Sequence, residues 1–313
     1  MIEVSHLTKR YGDHVAVDDL SFTIPGRQIY GLLGPNGAGK STTMNILTGC
    51  LAATAGEVRI DGVDIFEDPI AAKRHLGYLP EQPPVYMDRT PGEYLRFVAR
   101  AKGIKNLREE VDRVMELTQI TDMQNRLIKN LSKGYRQRVG LAQAILGDPD
   151  IIILDEPTVG LDPKQIIEIR ELIVTLGKDK TVILSSHILS EVQAVCGTIL
   201  ILSRGKLVAC DTPENLEKQL SGETALELEV KAPPERISTI LKGLPDVHDL
   251  TVSSRNGKAR VRLETEKDKL DALSENVFFA LAKAGTPLYS MTHSKASLED
   301  IFLELTGGKE QSK

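Results

Sequence analysis

Residues 34–42 read Gly34-Pro35-Asn36-Gly37-Ala38-Gly39-Lys40-Ser41-Thr42, entered from the apolar run Ile29-Tyr30-Gly31-Leu32-Leu33 and left into Thr43-Met44-Asn45-Ile46-Leu47. An apolar strand that ends in a glycine-rich loop and restarts as a helix points to an α/β fold. Glycines let successive backbone N–H groups turn toward one point, and the helix beginning near Lys40 adds the positive end of its dipole there. The loop therefore reads as a phosphate cradle. Lys40 is placed to reach β- and γ-phosphates. Ser41 carries a hydroxyl suited to Mg²⁺, which keeps several waters and asks for only one or two protein oxygens.

Such a loop says nucleotide without saying which engine, and later segments narrow the choice. Ile151-Ile152-Ile153-Leu154-Asp155-Glu156 is a short apolar run ending in two carboxylates. It reads as a buried parallel strand delivering acids at its carboxyl end, where ligands of open α/β sheets bind. Asp155 would hold Mg²⁺ through water and Glu156 would act as general base on the attacking water. Leu131-Ser132-Lys133-Gly134-Tyr135-Arg136-Gln137-Arg138 stands directly before the helical pattern Val139, Leu141, Ala142, Ile145, Leu146. Ser132 reads as an N-cap. Gly134 leaves backbone bare at that helix N-terminus, which makes a second anion site. A single chain has no second triphosphate to fill it.

At these residues the chain resembles the ATP-binding-cassette (ABC) family. LSKGYRQR is similar to the LSGGQ-type signature, in which the matching Ser132 and Gly134 bind the γ-phosphate held by a partner subunit. Gly37, Lys40 and Ser41 match the Walker A loop, Asp155 the Walker B aspartate and Glu156 the catalytic glutamate. Gly160-Leu161-Asp162 matches the D-loop, and His187 in Ser185-Ser186-His187 the switch histidine, implying a γ-phosphate contact. Tyr11, in Lys9-Arg10-Tyr11-Gly12, resembles the A-loop aromatic that stacks on adenine. The resemblance covers roughly residues 1–215, with the motifs in family order.

One motif departs from the family pattern. Counting back from Tyr86, the Q-loop glutamine falls on Glu81, with Gln82 next to it. Either Glu81 takes over contact with Mg²⁺ or its water, or the loop shifts so that Gln82 does; the sequence leaves both open. Asp162-Pro163-Lys164-Gln165 also has a structural reading, an N-cap with proline at the first helical position and Gln three residues after the cap.

With 39 basic and 44 acidic residues among 313, the net charge of −5 gives no electrostatic footprint for bulk nucleic-acid binding, and none is expected. Three cysteines at wide spacing (Cys50, Cys196, Cys210) suit reduced thiols and argue against a disulfide framework or zinc site. The first residues lack a signal-peptide pattern, and no apolar run approaches the roughly 18 residues of a membrane span. Any membrane role is then expected to come through a partner.

The expected organisation is a P-loop NTPase cassette over residues 1–220 and an accessory α+β domain over 221–313. The cassette has a β-rich N-terminal part to about Pro25 and a helical insert from about Thr90 to Asp148. Ser221-Gly222-Glu223 reads as the linker. Beyond it, alternating runs at 226–230, 247–252, 259–263 and 288–292, with helical patterns at 236–241 and 270–284, predict β-α-β-β-α-β, a ferredoxin-like sandwich. The tail from Ser297 to Gly307 predicts a helix and resembles the C-terminal segment of ATPase subunits in multi-chain ABC exporters, including drug-export and gliding-motility systems.

The resemblance implies an ATPase subunit that binds two ATP with Mg²⁺ between head-to-tail subunits. Its expected partners are a second ATP-binding subunit, identical or paralogous, and a separate integral-membrane permease that chooses the substrate. Its expected place is cytoplasmic, peripheral on the inner face of the cell membrane. The alternative is a soluble ABC-type ATPase acting on ribosomes or nucleic acid; such proteins usually join two cassettes or carry long coiled-coil insertions, and neither is present.

Overall fold

Fourteen strands among the described residues sort into three sheets in a computed structural model that describes residues 1–219, 223–255, 258–295 and 302. In chain order they are β1 (Ile2–Tyr11), β2 (His14–Ile24), β3 (Ile29–Leu33), β4 (Ala55–Ile60), β5 (Val63–Asp64), β6 (Leu76–Leu79), β7 (Ile151–Asp155), β8 (Thr181–Ser186), β9 (Thr198–Ser203) and β10 (Lys206–Asp211). Then follow β11 (Glu223–Val230), β12 (Asp249–Arg255), β13 (Lys258–Glu266) and β14 (Leu288–Lys295). The chain divides into two compact units, residues 1–212 and 213–313.

The first unit carries the expected P-loop NTPase architecture. Its central sheet runs β10-β9-β3-β8-β7-β6, parallel except for the edge strand β10. Every residue of β3, β7 and β8 is buried, as continuous apolar runs covered on both faces require. An antiparallel sheet, β2-β1-β4-β5, stands beside it, and the helix Lys40–Leu47 buries Met44, Ile46 and Leu47 in a core shared by both sheets. The helical insert forms Pro91–Ala101, Leu107–Leu117 and Lys133–Ile145. Thr90 closes a capping box with Glu93 on the first, and Ser132 caps the third by accepting from the Tyr135 N–H at 3.4 Å. Helix Pro163–Gly177 opens with the predicted box, Gln165 N–H to Asp162 Oδ1 at 2.9 Å, and buries Ile169, Leu172, Ile173 and Leu176.

The second unit contains a βαββαβ ferredoxin-like sandwich, with sheet order β12-β13-β11-β14. Helices Pro234–Leu241 and Leu270–Lys283 bury Ile237, Leu241, Leu273 and Val277 against Leu226, Leu228, Val261 and Leu263. The intervening residues face outward, where Glu229 sits opposite Arg260 and Glu227 opposite Arg262. Of the expected linker, Ser221 and Gly222 lie outside the described residues, and Glu223 already belongs to β11. Almost all of the predicted tail helix from Ser297 also lies outside them.

Candidate nucleotide site

Because β3, β8, β7 and β6 are adjacent and parallel, whatever follows each of them is delivered to one end of the sheet. The phosphate loop follows β3, Asp155 ends β7 with Glu156 next, His187 follows β8, and Glu81 follows β6. An open cavity of about 410 Å³ lies there, lined in part by Tyr11, Asn36, Gly37, Gly39, Lys40, Ser41, Thr42, Glu81, Glu156 and His187. Its size is ordinary for a small-molecule site.

The loop needs its glycines for reasons of space as well as conformation. Gly39 is left-handed, with φ +99°, and a Cβ there would stand 2.5 Å from the Ala16 carbonyl oxygen. The helix it precedes therefore starts pressed against β2, with its N-terminus facing the cavity. Gly34, Pro35 and Ala38 shape the turn without lining that cavity, and Ala38 is buried. Lys40, only 6% exposed, donates from Nζ to Gly34 O at 2.8 Å and Pro35 O at 3.3 Å. Burial pulls its ammonium below the usual lysine range, while Glu156, Asp155 and Glu81 oppose that shift. The Lys40 to Glu156 ion pair spans 3.6 Å.

Two serines fix the Asp155 carboxylate, and one of them also holds the Glu156 backbone. Ser41 Oγ donates to Asp155 Oδ1 at 3.3 Å, and Ser185 Oγ donates to the same oxygen at 2.5 Å. Ser185 also accepts from the Glu156 backbone N–H at 2.9 Å. That bond holds Glu156 in a left-handed conformation, φ +49°, which costs a non-glycine residue about 1–3 kcal/mol. Such strain persists only where surrounding contacts impose it, and here it aims a buried carboxylate at the cavity. His187 Nδ1 lies 3.1 and 3.0 Å from the two Glu156 carboxylate oxygens.

For a hard divalent cation the donor chemistry fits. Ser41 and Asp155 converge at hydrogen-bond distance beside the phosphate loop, and no cluster of three or more His, Cys, Asp or Glu side chains able to hold a metal exists among the described residues. A small oxygen set completed by substrate phosphates and water suits Mg²⁺.

Glu81 lines the cavity, whereas Gln82 is exposed and outside its lining, because β6 ends at Leu79 and the chain turns away after Pro80. Ser132 and Gly134 are absent from the lining too. Nor is the Gly134 backbone bare: it is buried, and a Cβ there would meet the Gln165 side-chain amide at 2.5 Å. Tyr11 is 49% exposed at the cavity mouth, with Lys9 Nζ 5.2 Å from its ring centroid. Sequence reasoning missed His14 and Val159, which also line the cavity, and the bridging role of Ser185. The Tyr11-Gly12 turn was the available signal for His14, since hairpin pairing sets it opposite Tyr11.

Comparisons with known proteins follow the same lines. A family profile described as "ABC transporter" matches residues 17–159. The chain is 37% identical to an uncharacterized ABC transporter ATP-binding protein, YhcH, of Bacillus subtilis, over 98% of this chain and 96% of that one. It is 34% identical to the bacitracin transport ATP-binding protein BcrA of Bacillus licheniformis, covering 98% of each. The linearmycin resistance ATP-binding protein LnrL of Bacillus subtilis is 31% identical, again over 98% of each chain. Among solved structures, an ATP-binding subunit of an ABC transporter matches with TM-score 0.64 and 30% identity, over 70% of this chain and 92% of its own. A dimeric post-hydrolysis ATP-binding cassette bound to ADP and Pi matches with TM-score 0.63 and 25% identity, over 68% and 98%.

Proposed function

The chain belongs to the ABC transporter family as an ATP-binding protein, and from that premise we propose an ATPase subunit that closes head to tail with a second such subunit around MgATP. Hydrolysis powers export through a separate integral-membrane permease. The observation carrying this reading is the convergence of Lys40, Ser41, Asp155, Glu156 and His187 at one end of the parallel sheet. Direction and partner class lean on the bacitracin transport and linearmycin resistance relatives.

In this mechanism the backbone of residues 34–42 holds the phosphates and Lys40 neutralises their charge. Ser41 and Asp155 would hold Mg²⁺, with Glu81 on the same cavity wall, and the ion would supply Lewis-acid polarisation of the nucleotide's phosphates. Glu156 orients the attacking water and takes its proton as general base. His187 faces the γ-phosphate. A neutral ring that donates to the phosphate from Nε2–H has no hydrogen on Nδ1 to give Glu156, so phosphate entry is expected to loosen the Glu156–His187 contact. Ser132 and Gly134, outside their own chain's cavity, complete the partner subunit's site. Closure driven by two ATP and opening on hydrolysis form a two-state element biased by ligand.

Among the described residues no helix is long and apolar enough to cross a membrane. The transport relatives support placing the subunit on the cytoplasmic face through its permease. The docking surface proposed is the exposed aromatic cluster after the Glu81 turn. There the exposed Tyr86 and Phe97 rings lie 5.6 Å apart, and Tyr86 meets the buried Tyr94 edge-on at 5.5 Å, while the Tyr94 hydroxyl donates to Pro84 O at 3.3 Å. The test of the ATPase reading is phosphate release by the purified chain: it should require Mg²⁺ and vanish with EDTA. Turnover indifferent to chelation would contradict it.

Two expected results arise here. Tyr11→Ala removes a stacking platform worth about 1–3 kcal/mol per base, so ATP affinity should fall roughly 5- to 150-fold, and GTP affinity comparably. Fluorescent-nucleotide titration checks this; unchanged affinity removes Tyr11 from the base site. We also take residues from 213 onward as a module that tunes assembly, since all proposed chemistry lies earlier and the second unit has its own core. A chain ended after Thr212 should bind ATP with affinity close to that of the full chain. An unfolded or non-binding fragment, by calorimetry and titration, contradicts the module.

A further inference from the structure

Glu191 is a buried carboxylate, 7% exposed, that the mechanism above does not use. It sits in the helix Leu189–Val195, four residues after His187. Its Oε2 accepts from Thr158 Oγ1 at 2.7 Å and from Ser186 Oγ at 3.0 Å. Arg170 Nη2 lies 4.0 Å from Oε1. Thr158 follows Glu156 by two residues, and Ser186 immediately precedes His187. One carboxylate therefore ties the turn that carries the general base to the turn that carries the histidine.

The tie is anchored. A Cβ at Gly31 would stand 2.2 Å from Val192 Cγ1 and 2.9 Å from Cys196 Sγ, so only glycine at 31 lets this helix lie directly on β3. β3 is the strand that delivers the phosphate loop. Downstream of the clamp, Ser186 Oγ also accepts the Ile188 N–H at 3.0 Å, and Val159 N–H bonds Glu156 O at 3.3 Å. Both turns that flank Glu191 are thus closed on themselves and joined through it.

We propose that Glu191 is a positioning residue that sets the register between Glu156 and His187, holding the water-activating carboxylate in its attack geometry. The two hydroxyls are the means: each donates into the same oxygen, so neither turn moves without breaking a hydrogen bond to a buried charge. Burying a carboxylate costs several kcal/mol unless it is paired and hydrogen-bonded, and here both conditions are met by groups from three separate segments.

Kinetics and amide exchange test this together. Glu191→Ala should lower kcat by roughly 10²-fold, the scale on which small misplacements act, with KM and nucleotide affinity unchanged. Glu191→Gln, whose amide oxygen can still accept both hydroxyls, should recover most of kcat. Thr158→Val should lower kcat in the wild-type background and add nothing on top of Glu191→Ala. The kinetic arm rests on the ATPase reading; the exchange arm does not. In the nucleotide-free chain, Glu191→Ala should speed exchange of the Ile188 amide about tenfold while leaving Cys196, bonded to Val192 O, unchanged. Additive kinetic losses, equal losses in KM and kcat, or an Ile188 amide indifferent to the substitution would overturn the clamp. Altered Ile188 exchange in a chain whose wild type hydrolyses no ATP would support the clamp and sink the ATPase reading instead.

Discussion

Glu156→Gln should slow ATP hydrolysis by about 10² to 10⁴, the range a general base contributes, while ATP still binds. The substitution keeps size and shape and removes the basic oxygen that takes the proton. It also removes the carboxylate 3.6 Å from Lys40, so one opponent of burial at that ammonium is lost. Binding should survive, because the cradle is built from backbone N–H groups and from Lys40 contacts to Gly34 and Pro35 carbonyls. With hydrolysis blocked, the ATP-closed pair should accumulate. Size-exclusion chromatography with MgATP should give twice the monomer mass for Glu156→Gln. A variant that stays monomeric, or turns over like wild type, removes Glu156 from its role.

The second large effect is at Gly134. Gly134→Asp sets a carboxylate where the partner's γ-phosphate would lie, so activity should fall to background while the monomer's nucleotide affinity is spared. A steric component has to be separated, since any Cβ at 134 meets the Gln165 amide, and Gln165 also closes the capping box with Asp162. Gly134→Ala supplies that control: it displaces the end of a flexible side chain without adding charge. Asp should therefore be far more damaging than Ala in steady-state turnover. Equal losses would mean packing decides the outcome, and a joint loss of monomer affinity would end the cross-subunit assignment.

What could be read from sequence was whatever is carried by local pattern. The phosphate loop, the strand ending in Asp155-Glu156 and the caps at Ser132 and Asp162 are each fixed by neighbours within a few residues, and all appear in the fold. The second unit was legible because a sheet with one wet face must alternate, as β13 does from Lys258 to Glu266. Ala55–Ile60 was harder, since Val58 and Ile60 alone give too short a period to mark β4. Glu81 and Gln82 were inseparable because a one-residue register depends on where β6 ends. The cover over Gly134 comes from Gln165, thirty-one residues on, and no local signal reports it. Ser185 and Glu191 were silent for the same reason: their meaning lies in oxygens brought near by neighbouring strands.

The central claim is a subunit that works on a membrane partner, and co-purification tests it most directly. The full chain, tagged and recovered from detergent-solubilised membranes in the presence of MgATP, should bring a polytopic membrane protein in stoichiometric amount, identified by mass spectrometry. That association should weaken when Tyr86 is replaced by Asp, because a charge would enter the proposed aromatic docking surface. Recovery with ribosomal proteins and ribosomal RNA, and with no polytopic protein, would contradict the account and favour the soluble ATPase instead.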